Sequence, residues 1–396
     1  MAELSADHAS GRTSIAWWRD ERKRALIWQA LVVAALVAVV AFIIVNMVSN
    51  LRTLGVPLGF DFLSFPAGFA ISFSMIPINL ESHIGRLIIV GMLNTLLAAA
   101  ISIVLSTVLG FLIGILRLSR NYLVARLAAV YIEVMRNVPV LVQLLFWYVA
   151  IVKLFPSVRQ SINIGDLMFL SNRGVYVPRP VPQENFAVVV IAFLVGIGIA
   201  VWLKRWATRR QMATGQLFPA ISVGVAVIVI LPIAAALALG NPVTWEVPEL
   251  KGFNFQGGLV LKPELTTLVV GLSACTAAYI AEIVRGGIIA ISHGQTEAAL
   301  ALGLRQTWTL RLVIIPQALR VILPPLTSQY LNITKNTTLA VAVGYPDLYS
   351  IVGTSLNQTG RAVENIAILM VFFLTLSLLI SLAMNWYNKR IALVER

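Results

Sequence analysis

An all-α integral membrane protein of about eight transmembrane helices is the fold class that the sequence predicts. Three observations predict it. Of 396 residues, 59% are apolar and 12% charged, about half the charged share of an ordinary soluble domain, so too little polar surface exists to cover one globular core. Eight runs have the length, about 20 mostly apolar residues, that a helix needs to cross roughly 30 Å of hydrocarbon. Basic residues are dense in one connecting segment and sparse in the next, the pattern of a polytopic chain.

The runs fall at 26–48, 90–116, 124–152, 186–203, 217–239, 265–290, 319–343 and 364–386. The first, Leu26 to Val48, is nearly uniform in Ala, Val, Leu and Ile. It is too long, starts too far into the chain and lacks a following small-x-small site, so it reads as a span rather than a cleaved signal peptide. The fourth and fifth runs join across Lys204, Arg205, Arg209 and Arg210 as a helical hairpin with a basic tip. In the second run, Gly110 and Gly114 form a GxxxG pair that permits close helix contact. The seventh contains Pro324 and Pro325, which remove two backbone donors and are expected to loosen the start of that span. Segments 51–85, 155–185 and 240–263 are rich in proline, including Pro57, Pro66, Pro156, Pro178 and Pro242, and in apolar residues. They are too apolar for free linkers and are expected to pack as short interfacial or re-entrant pieces.

With the N-terminus inside, the inner segments hold 19 basic residues and the outer segments 8. That bias puts both termini in the cytoplasm. Much of the net charge of +13 then serves topology and contact with membrane lipid, and no nucleic-acid partner is expected. The single Cys275 excludes an intrachain disulfide. His8, His83 and His293 are too far apart for a credible metal cluster. No GxxxxGK[ST] phosphate loop is present.

The most specific stretch is Glu297-Ala298-Ala299, then Gly303, then Val313-Ile314-Ile315-Pro316, in the inner loop between the sixth and seventh runs. Ser292 and Gln295 fit an S-x-x-Q capping box. Ala and Leu favour helix after it, and Gly303 supplies a left-handed stop. A second helical turn is expected near Thr307, and Pro316 opens the next span. Local physics thus reads a helix–Gly–helix knob on the membrane surface, which an ordinary amphipathic loop helix would also satisfy.

The spacing from Glu297 through Gly303 to Pro316 resembles the EAA loop of ABC importer permeases. The segments Ala281 to Gly287, Arg136-Asn137-Val138-Pro139-Val140-Leu141-Val142-Gln143, Lys335 to Ala340 and Gly344-Tyr345-Pro346-Asp347-Leu348 are similar to the polar amino-acid uptake branch, and within it to general L-amino acid permeases of Gram-negative bacteria. Asn137 and Val138 stand where that branch usually has Gly-Thr. The resemblance covers about 90–386 and implies a type I ABC importer permease core there. The remaining chain is a tail (1–25), an extra N-terminal helix (26–48), a periplasmic segment (49–89), an inserted hairpin (186–239) and a second tail (387–396). It further implies a bacterial inner membrane location and a chain that is not itself an enzyme. The partners would be a second homologous permease subunit, two copies of an ATP-binding subunit that holds ATP and Mg, and a periplasmic amino-acid-binding protein. Glu297, Ala298, Ala299, Gly303 and Pro316 would form the coupling helix that docks on the ATPase. Ala298 and Ala299 would allow close approach, and no cofactor is expected in this chain.

Polar residues at membrane depth are costly and tend to mark pathways. The candidates for the amino-acid path are Glu133, Arg136, Asn137 and Gln143 on the third run and Ser328, Gln329, Asn332 and Asn336 on the seventh. Gln329, Asn332 and Asn336 follow i, i+3, i+7, and Ser328 with Asn332 adds an adjoining i, i+4 row. The alternative for this stripe is hydrogen-bonded packing between helices. Glu133 with Arg136, and Glu282 with Arg285, both stand three apart, which puts an ion pair on one helix face. For Glu282 and Arg285 a structural pair is expected. Lys335 reads as a snorkelling anchor. The rival reading of the whole chain, an ion-gradient-driven secondary transporter, would need discontinuous helices in two related halves. The only internal echo found, around Tyr131 and Tyr279, is six residues long, and the EAA loop has no role in that reading. A membrane-embedded enzyme is disfavoured by the lack of HExxH, GxSxG and paired-Asp signatures.

Overall fold

A computed structural model describes residues 21–391 apart from Leu54, Val56, Pro57, Leu80 and Asn241. Most of the two expected tails, with His8, and the Pro57 position lie outside the described residues. Helices dominate: α1 (Glu21–Thr53), α2 (Ile84–Arg117), α3 (Tyr122–Asn137), α4 (Val140–Leu154), α5 (Phe186–Thr214) and α6 (Ala220–Ala238) come first. They are followed by α7 (Pro263–Ile289), α8 (His293–Ala301), α9 (Gln306–Thr309), α10 (Ile315–Asn336), α11 (Leu348–Thr359) and α12 (Ala362–Ile391). Seven helical segments are long and apolar enough to span a membrane, or eight if α3 and α4 count as one.

The expected third span is not one straight helix. α3 and α4 meet at 107°. Pro139 has no N–H to continue the helix and pushes the residue before it out of the α region. Val138 accordingly sits at φ −96°, ψ 129°. The seventh span departs in the opposite sense. α10 runs unbroken through Pro324 and Pro325, and its irregular turns lie at its ends. Residues Leu310–Ile314 form a π turn before it and Thr337–Val343 a 3-10 turn after it.

The core is organised around α7, whose apolar stretch is 72% buried. α2, α3, α4 and α10 all pack on it. Small residues set the separations. A Cβ on Gly110 would stand 2.6 Å from Ile280, and one on Gly114 would stand 2.8 Å from the Ala281 carbonyl and from Val284. The GxxxG pair of α2 is therefore a packing seam against α7. Gly287 of α7 admits Ile322 of α10 in the same way, at 2.4 Å. By contrast, 0% of the apolar stretch of α1 and of α12 is buried, and 6% of those of α5 and α6. Those helices present apolar side chains outward, as lipid contact requires.

Segments 155–185 and 240–263 correct the expectation of interfacial or re-entrant pieces. Residues on both sides of the hairpin fold together as β structure. Strands β1 (Ile162–Ile164), β2 (Met168–Ser171) and β3 (Gly174–Val177) form an antiparallel meander. The chain continues through β4 (Arg179–Pro182) before the hairpin, and β5 (Val243–Glu246), β6 (Glu249–Lys251), β7 (Asn254–Gln256) and β8 (Leu259–Leu261) after it. β8 returns to pair with β3, Tyr176 opposite Val260. Gly174, at φ +127°, lets the Leu261 carbonyl approach to 2.3 Å of where a Cβ would be. Tyr176 and Phe255, their ring centroids 4.5 Å apart and tilted at 40°, make a small core with Val158. β4 pairs with β5, Arg179 opposite Glu246, so the roots of the α5–α6 hairpin are tied side by side.

The segment before α2 packs on the helices. Phe62 is fully buried against the start of α2 and α11. Asp61 pairs with Arg361 at 3.0 Å, and the Gly59 N–H donates to Glu364 at 2.6 Å. These contacts tie the segment to the beginning of α12.

Candidate functional site

The knob between α7 and α10 forms as the local chemistry predicts. α8 ends in a Schellman closure: the Gly303 N–H donates to the Leu300 carbonyl at 2.9 Å and the Leu304 N–H to Ala299 at 3.1 Å. Gly303 sits at φ +79°, a left-handed conformation that a β-branched residue would adopt only under strain. Ser292 is the N-cap, but its hydroxyl makes no capping bond. The Gln295 amide instead accepts from Gln317 at 3.3 Å. The capping box expected from the sequence is thus replaced by a tie between the knob and the foot of α10. The second turn, α9, leads into the π turn, where the Ile315 N–H reaches back to Leu310. Pro316 explains the wide turn, because it cannot donate and its ring clashes with the carbonyl four residues earlier.

Exposure sorts the loop residues. Glu297 and Ala298 are exposed, and Glu297 meets His293 Nδ1 at 3.1 Å across one turn. Ala299 is only 4% exposed. It faces the knob's own interior, so its small side chain serves internal packing and not close approach to a partner. The large outward apolar residues of α8 and its C-cap are Leu300 at 47% and Leu302 at 83% exposure. The sequence reading missed both. Their signal was available: one is a turn from the N-cap side of Gly303 and the other is the C-cap itself, where a Leu finds no intrahelical partner.

The polar path candidates of α10 share the open side of that helix. Pro324, Pro325, Ser328, Asn332 and Lys335 are exposed, and Gln329 and Asn336 half-buried on the flank. No hydrogen bond joins the side chains of Ser328, Gln329, Asn332 or Asn336 to another of the described residues. The stripe therefore faces away from this chain's own core.

The α3–α4 candidates divide differently. Gln143 is buried, and its amide donates to the Met135 carbonyl at 2.9 Å and the Val138 carbonyl at 2.8 Å. It closes the bend by serving the Met135 carbonyl, whose helical donor would be the N–H that Pro139 lacks, and the Val138 carbonyl beside it. That geometry gives it a structural task in the bend. Glu133 and Asn137 are exposed. The Glu133–Arg136 pair expected from the spacing does not form. Arg136 lies over the Tyr279 ring, 5.4 Å from its centroid. The echo in α7 does pair, Arg285 to Glu282 at 2.5 Å. α3 and α10 each pack on α7, but the candidate residues of the two helices are not brought into contact.

The Gly344-Tyr345-Pro346-Asp347 segment is a joint. Gly344 turns left-handed at φ +79°. Tyr345 is fully buried and donates its hydroxyl to the Asn94 carbonyl at 3.0 Å, while the Asn94 amide donates to the Pro346 carbonyl at 2.8 Å. Asp347 caps α11 by accepting from the Ser350 N–H at 2.9 Å. Burial pushes its carboxyl up to about 6.

Residues 189–393 match the family of binding-protein-dependent transport system inner membrane components. Over 94% of this chain and 95% of its own length, the putative amino-acid ABC transporter permease protein YhdX of Escherichia coli K12 is 50% identical. The general L-amino acid transport system permease protein AapQ of Rhizobium johnstonii is 45% identical over 98% and 97%. The glutamate/glutamine/aspartate/asparagine transport system permease protein BztB of Rhodobacter capsulatus is 39% identical over 95% and 96%. Together with the multispan helical fold, these matches place the chain in the family of binding-protein-dependent inner membrane components, as an ABC-type amino-acid permease subunit.

Proposed function

We propose that this permease subunit works in an ATP-driven amino-acid importer of the bacterial inner membrane, with both termini cytoplasmic. ATP and Mg are bound by two copies of a separate ATPase subunit. A second homologous permease completes the membrane path, and a periplasmic binding protein delivers the amino acid. The observation that carries this reading is the knob: a nine-residue helix (α8) stopped by Gly303 at φ +79°, with Leu302 83% exposed beside it. A large apolar side chain that far out of the protein, and outside the spans, fits a surface that becomes covered. Ala299 and the Gln295–Gln317 tie hold the knob rigid, so closure of the ATPase dimer would move α10 with it.

The substrate route in this reading follows the α10 stripe. Ser328 and Asn332 supply donors and acceptors without net charge, which suits a zwitterion of varied side chain. A polar face at this depth is tolerated only against protein or a water-filled cavity. The experiment is uptake by proteoliposomes holding the purified complex. Uptake needs ATP on the knob side and survives ionophores. Gly303→Val and Leu302→Asp cut it at least tenfold, Leu302→Asp by loss of ATPase from the complex. Asn332→Leu lowers uptake per assembled complex while leaving assembly intact. Ionophore-sensitive uptake without ATP would instead mean a secondary transporter. Normal uptake per complex with reduced yield of Asn332→Leu would make the stripe packing.

A further inference from the structure

The basic tip of the hairpin has no task in the reading above. Val201, Lys204, Arg205, Thr208 and Arg209 fall at i, i+3, i+4, i+7 and i+8, one face of α5. With Arg390 of α12 they line a cavity of about 600 Å³. The opposite face of α5 is occupied by α6: a Cβ on Gly196 would lie 3.2 Å from Ile228, and Gly224 of α6 packs on Ala200. The cavity is therefore where the α5–α6 hairpin comes up to the end of α12.

Four cationic groups line it and no acidic residue does. None of the four forms an ion pair with another of the described residues. The Thr208 hydroxyl is committed to the Lys204 carbonyl at 2.9 Å. Arg210, the neighbouring cation, is turned away: it lies over Trp206 at 5.3 Å and donates to Gln216 at 2.8 Å. Like charges around one cavity repel, and an anion there removes that cost. The surroundings identify the anion's carrier. Trp202, Trp206 and Trp386 are all outward at this level, as indoles are at a headgroup boundary. Arg390 lies over Trp386, 3.8 Å from the ring centroid. On the membrane side of the cavity α5 exposes Leu194, Ile197 and Val201, an apolar track for acyl chains.

We infer that this cavity seats the phosphate headgroup of an anionic phospholipid, which bridges the α5–α6 hairpin to α12. Basic pockets between membrane helices recognise such headgroups through charge and the acyl chains together. The inference needs only that α5 and α12 end at one membrane face, so it stands apart from the importer reading.

The test is native mass spectrometry of the full-length protein released from nanodiscs of phosphatidylcholine with or without phosphatidylglycerol. The wild type retains phosphatidylglycerol in preference to phosphatidylcholine. The Lys204→Gln, Arg205→Gln, Arg209→Gln triple variant loses that preference by roughly a hundredfold, at about a factor of five per cation. The Arg120→Gln, Arg126→Gln pair, exposed elsewhere, retains it. Excess inorganic phosphate leaves the lipid in place. No retained phosphatidylglycerol on the wild type, or equal loss in the control pair, would overturn the site. Displacement by inorganic phosphate would make it a simple anion site and overturn the lipid assignment. Because the wild-type comparison of the two lipids needs no variant, a poorly folding triple variant still leaves the inference open to refutation.

Discussion

α7 and α5 are both long membrane helices attached to the same β structure, yet they solve opposite problems. The most apolar stretch of α5 has a mean hydropathy of 2.9 and is 6% buried in protein, whereas that of α7 has 1.8 and is 72% buried. The more hydrophobic helix is the less buried one. In lipid no hydrophobic force drives one apolar helix against another, because acyl chains solvate Leu and Val as well as a neighbour does. Burial in protein follows small residues instead. α7 carries Gly271, Ala277, Ala278, Ala281 and Gly287 together with Thr267, Ser273 and Thr276, all buried. α5 buries Gly196 and Ala207 alone, toward α6.

Filling the α2–α7 seam breaks this contrast hardest. Gly110→Leu sets a branched side chain where even a Cβ would stand 2.6 Å from Ile280. The expected loss is about 3 kcal/mol or more, read as failure to recover monodisperse protein in mild detergent. Recovery with an unchanged thermal midpoint would show that the seam yields freely.

A smaller loss is expected at the bend that lets α4 lie along α7. Gln143→Leu leaves the Met135 and Val138 carbonyls without the amide that serves them. Thermal unfolding in detergent should fall by the equivalent of about 2 kcal/mol. Gln143→Glu, which lacks the amide donors when ionised, should be no better than Leu.

The smallest effect belongs to the hairpin. Gly196→Ala places a Cβ 3.2 Å from the Ile228 Cα, a contact that a slight helix shift relieves, and Ala favours helix over Gly. A change below about 1 kcal/mol is expected. A loss as large as that of Gly110→Leu would mean that the hairpin is packed as tightly as the core and would remove the contrast.

Much of the candidate site was legible as a pattern of residues. The knob follows from Ser292, the Ala-Leu run and Gly303, since an N-cap, good helix formers and a left-handed stop are local instructions. The orientation of Ala299 was not legible, because a small residue at helical spacing fits an inner or an outer face equally well. Gln143 read as a polar residue at membrane depth. Its task depends on two carbonyls at the Pro139 bend, which only the folded chain brings within 3 Å of its amide. The two Glu-x-x-Arg echoes carry the same spacing, but only Arg285 pairs with its Glu. Arg136 has the Tyr279 ring of another helix within reach.

By itself the sequence determined the membrane class, the approximate spans, the paired helices 186–239 and the helix–Gly–helix knob. Each rests on hydropathy or on backbone preferences that act within a few residues. Tertiary structure alone decided which spans form the core, how sharply the chain bends at Pro139, and that segments on both sides of the hairpin close into one β unit through β3 and β8. The physical reason is that hydropathy measures transfer out of water. It does not tell a lipid neighbour from a helix neighbour, nor does it bring Val177 to Leu259 across the hairpin between them.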